Sequence, residues 1–223
     1  MKVGTDGVLL GAWAHLPKLP HSYLLDIGTG CGLIALMLAQ RSESAEVLGV
    51  EIDEKAVVDA QENVNSSPFS ERVRVVQTDV LHFSQNNAEK FDLIVSNPPY
   101  YEEDLICPDS KRAQARHTQG GGLTFAALIR SVDALLNKEN ADARFCVILP
   151  STAAVHFVNL AQLHSLHLTR RTDVVTRPTK PSKRTLLEFS HFSRPLQHDV
   201  LCLVGDDGQR SESYRSLCAD FYL

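Results

Sequence analysis

Long apolar runs are absent from this chain, and that absence excludes one large class of proteins. No stretch approaches the roughly 18 consecutive apolar residues that a membrane-spanning helix needs. The N-terminal sequence MKVGTDGVLLGAWA lacks the length and the flanking residues of a signal peptide. We therefore expect a cytoplasmic protein with no membrane partner.

Cysteine pairs and an excess of positive charge are also missing. The nine histidines form no set with metal-ligand spacing, and the five cysteines lie far apart without a C-x-x-C pair (Cys31, Cys107, Cys146, Cys202 and Cys218). This pattern favours reduced thiols and no metal site. With 22 Lys and Arg against 27 Asp and Glu, the net charge is −5, so any contact with nucleic acid must come from a local basic patch.

What the sequence does contain is an alternation of strand-like and helix-like segments. Short apolar runs predict strands over 22–28, 45–53, 72–79, 91–97 and 143–150, and periodic segments predict helices over 33–41, 54–67, 123–137 and 152–165. Two further strand-like runs, 166–178 and 183–193, flank the turn RPTKPSK and predict a β-hairpin at the sheet edge. A short strand over 199–204 and a helix near 211–220 follow.

Such alternation is typical of an α/β fold with a mostly parallel twisted sheet and helices on both faces. We expect about seven strands, with the antiparallel hairpin near the C-terminus. A single domain over residues 1–223 is expected, with an N-terminal helix in 1–21 and the hairpin in 166–193. Ligands of such sheets bind at the carboxyl ends of the strands, so residues that follow the predicted strands should converge in one crevice.

The first strand ends in the sequence DIGTGCG, just before a helix. Its three glycines, Gly28, Gly30 and Gly32, allow a sharp turn and a close backbone approach to a ligand. Glu51, at the end of the second strand, has the spacing expected for a carboxylate that binds a nucleoside ribose. The glycines could also simply form a tight turn.

Two ligand classes compete for this loop. Dinucleotide sites use the spacing G-x-G-x-x-G, whereas here Asp26 precedes a G-x-G-x-G series. An acidic side chain would repel pyrophosphate and suit a cationic ligand. The pattern resembles motif I of S-adenosylmethionine-dependent methyltransferases, and that resemblance implies S-adenosyl-L-methionine as cofactor. It also implies that Asp79 lies near the adenine amino group, with Ile52 and Val80 beside it.

The stretch FDLIVSNPPYYEED places Asn97, two prolines and two tyrosines directly after the fourth strand. Proline continues neither a ladder nor a helix, so an irregular loop is built there. NPPY resembles motif IV of the methyltransferases that modify planar amino nitrogens. A conjugated amine is a poor nucleophile because its lone pair is delocalised. The Asn97 side-chain oxygen and the Pro98 carbonyl could accept its two hydrogens and direct the lone pair at the methyl group. Tyr100 would stack on the base, worth about 1–3 kcal/mol, and Tyr101 would extend that surface.

The N-terminal string KVGTDGVLLGAWA narrows the substrate. Thr5 and Asp6 could cap an amphipathic helix whatever the function. The string also resembles the start of the tRNA1(Val) adenine-37 N6-methyltransferase family, in which it lies over the cofactor. The resemblance continues through DIGTGCGLIALMLAQR, AQENVNSSPFSERV, FDLIVSNPPYY, AQARHT and the final FYL, which together extend over nearly the whole chain. It implies a Rossmann-like class I fold, and Thr5 joins the residues expected at the cofactor.

Basic residues in two segments are the candidates for RNA contact. The segment 107–122 after the catalytic loop contains Lys111, Arg112, Arg116 and His117. The hairpin contains six cations that could contact phosphates: Arg170, Arg171, Arg177, Lys180, Lys183 and Arg184. Either set could instead be a solvated loop or a charged edge that prevents strand pairing.

The family resemblance implies methyl transfer from S-adenosyl-L-methionine to N6 of adenine 37 in the anticodon loop of tRNA1(Val). Three classes of alternative stay open on the residues alone. The nearest are a protein glutamine-N5 methyltransferase and other amino-methyltransferases that act on rRNA guanine or DNA adenine. A non-catalytic module that binds the cofactor or RNA belongs to a different class, and a dinucleotide oxidoreductase is the third alternative.

Overall fold

The sheet is the frame of the molecule. A computed structural model of the chain describes residues 4–99 and 122–221. The sheet contains eight strands: β1 (Tyr23–Ile27), β2 (Glu46–Glu51), β3 (Val73–Gln77), β4 (Leu93–Ser96), β5 (Arg144–Pro150), β6 (His167–Val175), β7 (Arg184–Ser190) and β8 (Gln197–Cys202). Seven helices lie in the described ranges: α1 (Thr5–Trp13), α2 (Leu33–Arg41), α3 (Glu54–Asn65), α4 (Val80–Asn86), α5 (Phe125–Leu135), α6 (Ser151–Gln162) and α7 (Glu212–Leu217).

The spatial order of the strands is β3-β2-β1-β4-β5-β7-β6-β8. The five strands from β3 to β5 are parallel, β7 is antiparallel to both β5 and β6, and β8 is parallel to β6. The mostly parallel sheet with an antiparallel hairpin near the C-terminus is therefore confirmed. The prediction that this hairpin forms the sheet edge is wrong, because β8 pairs outside it and takes the edge position.

Helices cover both faces of the sheet. One buried cluster joins α1, α2 and α7 to side chains such as Leu24, Val47 and Ile148. The cluster on the opposite face joins α5 and α6 to side chains such as Ile94 and Phe145. Because strand side chains alternate between faces, the strands β1, β2, β4, β5 and β7 contribute to both clusters. Strand β4 is fully buried and β5 is buried up to Leu149, as expected for parallel strands covered on both sides.

Local sequence explains most of the helix boundaries. Helix α2 has the predicted bounds because it follows a left-handed glycine and is rich in residues with high helix propensity. Helix α5 begins at the N-cap Thr124, whose side chain accepts a hydrogen bond from the backbone N–H of Ala127. Helix α4 was not predicted, because it is only seven residues long and carries one buried side chain, Val80.

The predicted cap of α1 is wrong. The N-cap is Gly4, which has no side chain to bond with, and Thr5 and Asp6 are the first two residues of the helix itself. Helix α1 is buried from Gly7 to Trp13, so its anchoring comes from contacts with the rest of the protein rather than from a cap.

The carboxyl ends of the parallel strands meet at one edge, which we call the site edge. Ile27 pairs with Ser96, and Glu51 pairs with Gln77, at the ends of β1, β4, β2 and β3. Pro150 at the end of β5 pairs with Arg184 at the start of β7, so the turn 176–183 between β6 and β7 lies at the same edge. The chain leaves β1 toward β2 and β3 on one side and later adds β4 and β5 on the other. The topological switch point therefore falls between β1 and β4.

Within residues 4–99 and 122–221, no helix combines the length and the apolar character that crossing a bilayer requires. The same ranges hold no group of three or more His, Cys, Asp or Glu side chains suited to a metal ion.

Candidate active site

Asn97 lies at the switch point. It follows the last residue of β4, and the register Ile27–Ser96 places it beside Gly28 of the glycine loop. The hydroxyl of buried Ser96 donates to the carbonyl oxygen of Ile27 at 2.9 Å, which ties the two strand ends together. Asn97 is partly exposed, and Pro98 after it is buried. The segment that begins the NPPY loop is therefore held directly against the glycine loop.

The glycine loop needs its glycines for conformational reasons. Gly28, Gly30 and Gly32 have φ values of 71°, 57° and 82°, in the left-handed region that other residues rarely adopt. A Cβ atom on Gly28 would meet no other atom within 4 Å in the described part of the chain. The backbone of Gly28 is therefore open to close approach by a ligand.

Asp26 is fully buried at the end of β1, with 0% of its surface exposed. The Thr29 hydroxyl donates to its Oδ2 at 2.6 Å, whereas Oδ1 makes no hydrogen bond with any group in the described ranges. Burial raises the pKa of Asp26 to about 7, although the hydrogen bond from the Thr29 hydroxyl opposes the rise. An uncompensated carboxylate in this position fits a positively charged ligand group.

Glu51 fixes the shape of the loop. Its Oε2 accepts from the backbone N–H of Gly30 at 3.0 Å, and its Oε1 accepts from the N–H groups of Ile52 and Asp53 at 2.8 and 3.0 Å. One carboxylate thus joins the glycine loop to the segment that begins α3. Ile52 is 66% exposed, which is unusual for a large apolar side chain that follows a buried strand. It presents an apolar surface at the site edge.

Asp79 lies at the neighbouring strand end. The backbone N–H of Thr78 donates to the carbonyl oxygen of Glu51 at 2.8 Å, which brings the ends of β2 and β3 together. Asp79 is the N-cap of α4 and accepts from the N–H of Leu81 at 2.8 Å. Val80 is buried, so it supports this corner from the core side. The structure therefore brings the predicted residues Asp26, Gly28, Glu51, Ile52, Asp79 and Asn97 to one edge.

Arg170 and Arg171, two of the predicted phosphate contacts, lie in β6 and bond to other groups of the protein. The guanidinium of Arg170 stacks on Trp13 with its carbon 3.5 Å from the ring centroid, donates to the Trp13 carbonyl and pairs with Glu188 at 3.1 Å. Arg171 forms hydrogen bonds with both carboxylate oxygens of Asp173. These side chains are used inside the protein, and Arg170 is largely buried.

Arg184, a third predicted phosphate contact, also pairs with a carboxylate of the protein. Its Nε donates to the carboxylate of Asp6 at 2.7 Å. By contrast, three cations on the turn 176–183 are exposed at the site edge: Arg177, Lys180 and Lys183. We call these three the turn cations. Within residues 4–99 and 122–221 their side chains form neither an ion pair nor a hydrogen bond.

The remaining predicted residues are placed as follows. Thr5 is exposed at the first turn of α1. Five predicted positions lie outside the described residues: Tyr100, Tyr101, Arg112, Arg116 and His117. The sequence reasoning missed Thr29, the hydroxyl donor to Asp26, because a threonine between two glycines gives no periodic signal. It also missed the pairing of Asp6 with Arg184, which join positions far apart in the chain.

Comparison with known proteins gives matches of two kinds. Residues 8–123 match the family described as Methyltransferase small domain. A tRNA1(Val) (adenine(37)-N6)-methyltransferase of Bacteroides fragilis (strain YCH46) is 43% identical, over 100% of this chain and 91% of its own length. The enzyme of the same description from Erwinia tasmaniensis is 44% identical, over 100% of this chain and 89% of its own length.

Solved structures show the same fold. A predicted O-methyltransferase from Agrobacterium tumefaciens superposes with a TM-score of 0.72 at 19% identity, covering 96% of both chains. A glycopeptide N-methyltransferase complexed with S-adenosyl-L-methionine superposes with a TM-score of 0.55 at 12% identity, covering 77% of this chain and 82% of its own. At these identities the likeness concerns architecture alone.

Proposed function

The chain belongs to the family of tRNA1(Val) (adenine(37)-N6)-methyltransferases, and from this premise we infer that it transfers a methyl group from S-adenosyl-L-methionine to N6 of adenine 37 in tRNA1(Val). The observation that carries this conclusion is the identity of more than 40% over the whole chain to enzymes of that description. The arrangement of Asn97 beside Gly28 is consistent with it, because the acceptor and donor of the methyl group must meet at one point.

The glycine-loop side of the site fits the cofactor. The cofactor is a cation that carries an ammonium and a sulfonium, and it supplies the electrophilic methyl group. We propose that Asp26 balances this charge, since its Oδ1 makes no hydrogen bond in the described ranges. Gly28 leaves room for close approach, and Gly30 and Gly32 shape the loop. Glu51, Ile52, Asp79 and Val80 would form the pocket for the nucleoside.

We propose that Asn97 and Pro98 act on the adenine amino group. The side-chain oxygen of Asn97 and the carbonyl oxygen of Pro98 would accept the two N6 hydrogens and orient the nitrogen lone pair toward the methyl group. The Ser96 bond to Ile27 and the burial of Pro98 keep this segment rigid, so the acceptors need little reorganisation. The sulfonium is a good leaving group, so no strong base is required, and the product nitrogen loses its proton after transfer.

Adenine 37 must leave its stack to reach this site. Tyr100 remains our candidate for stacking on the extruded base, with Tyr101, Arg112, Arg116 and His117 as further contacts of the RNA. For the phosphates we propose the turn cations in place of Arg170 and Arg171, because they are exposed at the site edge and the strand arginines are bonded within the protein.

Methyl transfer from labelled cofactor tests this function directly. We expect label in a tRNA1(Val) transcript with adenine at position 37, and none in the transcript with guanine there, in duplex DNA or in a release factor. Asn97→Ala should lower turnover by about 10²–10³-fold while the affinity for the cofactor changes little. Asn65→Ala, which removes an exposed amide at the end of α3, is the matched control.

Two results would contradict the proposal. Label in the release factor but not in the tRNA would assign the protein to glutamine methylation. Turnover of Asn97→Ala near that of Asn65→Ala would remove Asn97 from the reaction, and the acceptor would have to be sought elsewhere in the NPPY loop.

A further inference from the structure

Helix α1 runs alongside α2 in very close contact. A Cβ atom on Gly7 would lie 3.2 Å from Leu33 Cδ2, and one on Gly11 would lie 2.8 Å from Met37 Sδ. The two contacts follow the same order along both helices, so α1 and α2 point the same way. The first turn of α1 therefore lies beside the first turn of α2, which begins directly after Gly32 of the glycine loop.

The two ends of α1 are fastened by different contacts. At the C-terminal end, Arg41 donates to the carbonyl oxygens of Gly11 and Ala14 at 2.6 and 2.8 Å, and Trp13 Nε1 donates to Thr172 at 2.8 Å. At the N-terminal end the cap residue Gly4 has no side chain. There the Nε of Arg184 forms an ion pair with the Oδ2 of Asp6 at 2.7 Å.

The ion pair between Asp6 and Arg184 joins the first turn of α1 to the start of β7. The Asp6 and Arg184 side chains are 26% and 35% exposed, so the pair is partly shielded from water. Arg184 also donates through Nη1 to the carbonyl oxygen of Lys183 at 3.1 Å. Arg184 is thus oriented toward α1 on one side and held by the turn backbone on the other, and its charge is balanced by Asp6 rather than left for a phosphate.

We propose that Arg184 is a positioning residue for the cofactor and not a contact of the tRNA. Through Asp6 it holds the first turn of α1 against the start of α2, and so keeps the glycine loop in the shape that binds the cofactor. The proposal rests on cofactor binding at the glycine loop. It separates Arg184 in function from Lys183, its neighbour in sequence, which is exposed.

Two binding measurements on the full chain separate these roles. Arg184→Ala and Asp6→Ala should each weaken S-adenosylmethionine binding about three- to five-fold by calorimetry, the range for a partly exposed ion pair. Affinity for tRNA1(Val), measured by filter binding over a series of salt concentrations, should keep its wild-type slope in both variants. Lys183→Ala is the matched control. It should leave cofactor affinity unchanged and reduce the salt slope by about 0.9, the effect of losing one phosphate contact.

Rescue distinguishes positioning from general stability. The exchanged pair, Asp6→Arg with Arg184→Asp, should recover most of the lost cofactor affinity, and Arg184→Lys should lose less than Arg184→Ala. Should Arg184→Ala fail to fold, Asp6→Asn provides the same test from the other partner. Unchanged cofactor affinity in the single variants, or a reduced salt slope in Arg184→Ala, would overturn the proposal. If wild-type protein did not bind the cofactor at all, the proposed function would fail instead.

Discussion

Asp26 and Glu188 are both buried carboxylates of the same sheet, and they differ in what surrounds them. Glu188, in the middle of β7, lies 3.1 Å from Arg170 and 3.7 Å from Arg144, and its Oε1 accepts from the Thr169 hydroxyl at 2.9 Å. Asp26, at the end of β1, has the Thr29 hydroxyl as its side-chain partner, and no cation pairs with it in the described ranges.

The two environments move the pKa values in opposite directions. At Glu188 burial raises the pKa, but His15, Arg170 and Thr169 together outweigh it and the net pKa is lowered. At Asp26 burial prevails and the pKa is raised to about 7. The difference indicates that Glu188 serves the architecture, because the protein supplies its counter-charges. Asp26 has no counter-charge among the described residues, which is the kind of environment that marks a candidate binding site.

The largest expected effect on the free energy of unfolding comes from removing Glu188, the carboxylate whose counter-charges the protein supplies. Glu188→Ala removes the buried carboxylate that pairs with Arg170 and Arg144, and loss of one partner of a buried ion pair costs about 3–5 kcal/mol. Urea denaturation should show this loss in the free energy of unfolding. Glu46→Ala, at an exposed position in β2, is the control and should change stability by less than about 0.5 kcal/mol. A loss below about 1 kcal/mol for Glu188→Ala would mean that the two sites do not differ as proposed.

Asp26→Asn should raise the free energy of unfolding, whereas Glu188→Ala should lower it. Because the folded-state pKa is raised above the usual 3.8, the folded protein retains a proton that the unfolded chain loses. Stability therefore falls as the pH rises from about 4 to 7, and the cost stays in full above pH 7. Removing the charge should stabilise the cofactor-free protein by about 2–4 kcal/mol at pH 8 and by little at pH 4.

The pH series of unfolding free energies for wild type and Asp26→Asn measures this difference, and Asp206→Asn, in an exposed turn, is its control. The same variant should bind S-adenosylmethionine more weakly, since the cofactor loses its counter-charge. Equal stabilities of Asp26→Asn and wild type at pH 8 would show that Asp26 carries no cost in the empty site.

The smallest expected effect on stability is that of His15, the most exposed of the charged side chains that pair with Glu188. His15 Nδ1 lies 3.3 Å from Glu188 Oε2, but the His15 side chain is 59% exposed. Exposed ion pairs contribute at most about 1 kcal/mol, so His15→Ala should lower the unfolding free energy by less than that. A loss close to that of Glu188→Ala would show that the cluster acts as one unit and that burial does not rank its members.

The sequence supports the cofactor side of the site much better than the RNA side. Asp26, Glu51, Asp79 and Asn97 each lie at or near the carboxyl end of a strand that an apolar run predicts, and a parallel sheet brings all such ends to one edge. No comparable rule exists for the basic residues of the hairpin. Arg170 and Lys183 are both cations of the predicted hairpin, and the sequence does not distinguish them. Arg170 stacks on Trp13, whereas Lys183 is exposed on a turn.

The sequence by itself determined the order of the strands along the chain, every helix but the short α4, the glycine loop and the residues at the strand ends. These depend on short-range patterns and on backbone conformations that only particular residues adopt. Tertiary structure decided which charges remain available to a ligand. Pairs such as Asp6 with Arg184, or Glu188 with Arg170, form across strands and helices that are remote in the chain. Whether a charged group is satisfied depends on its neighbours in space, and local sequence does not contain them.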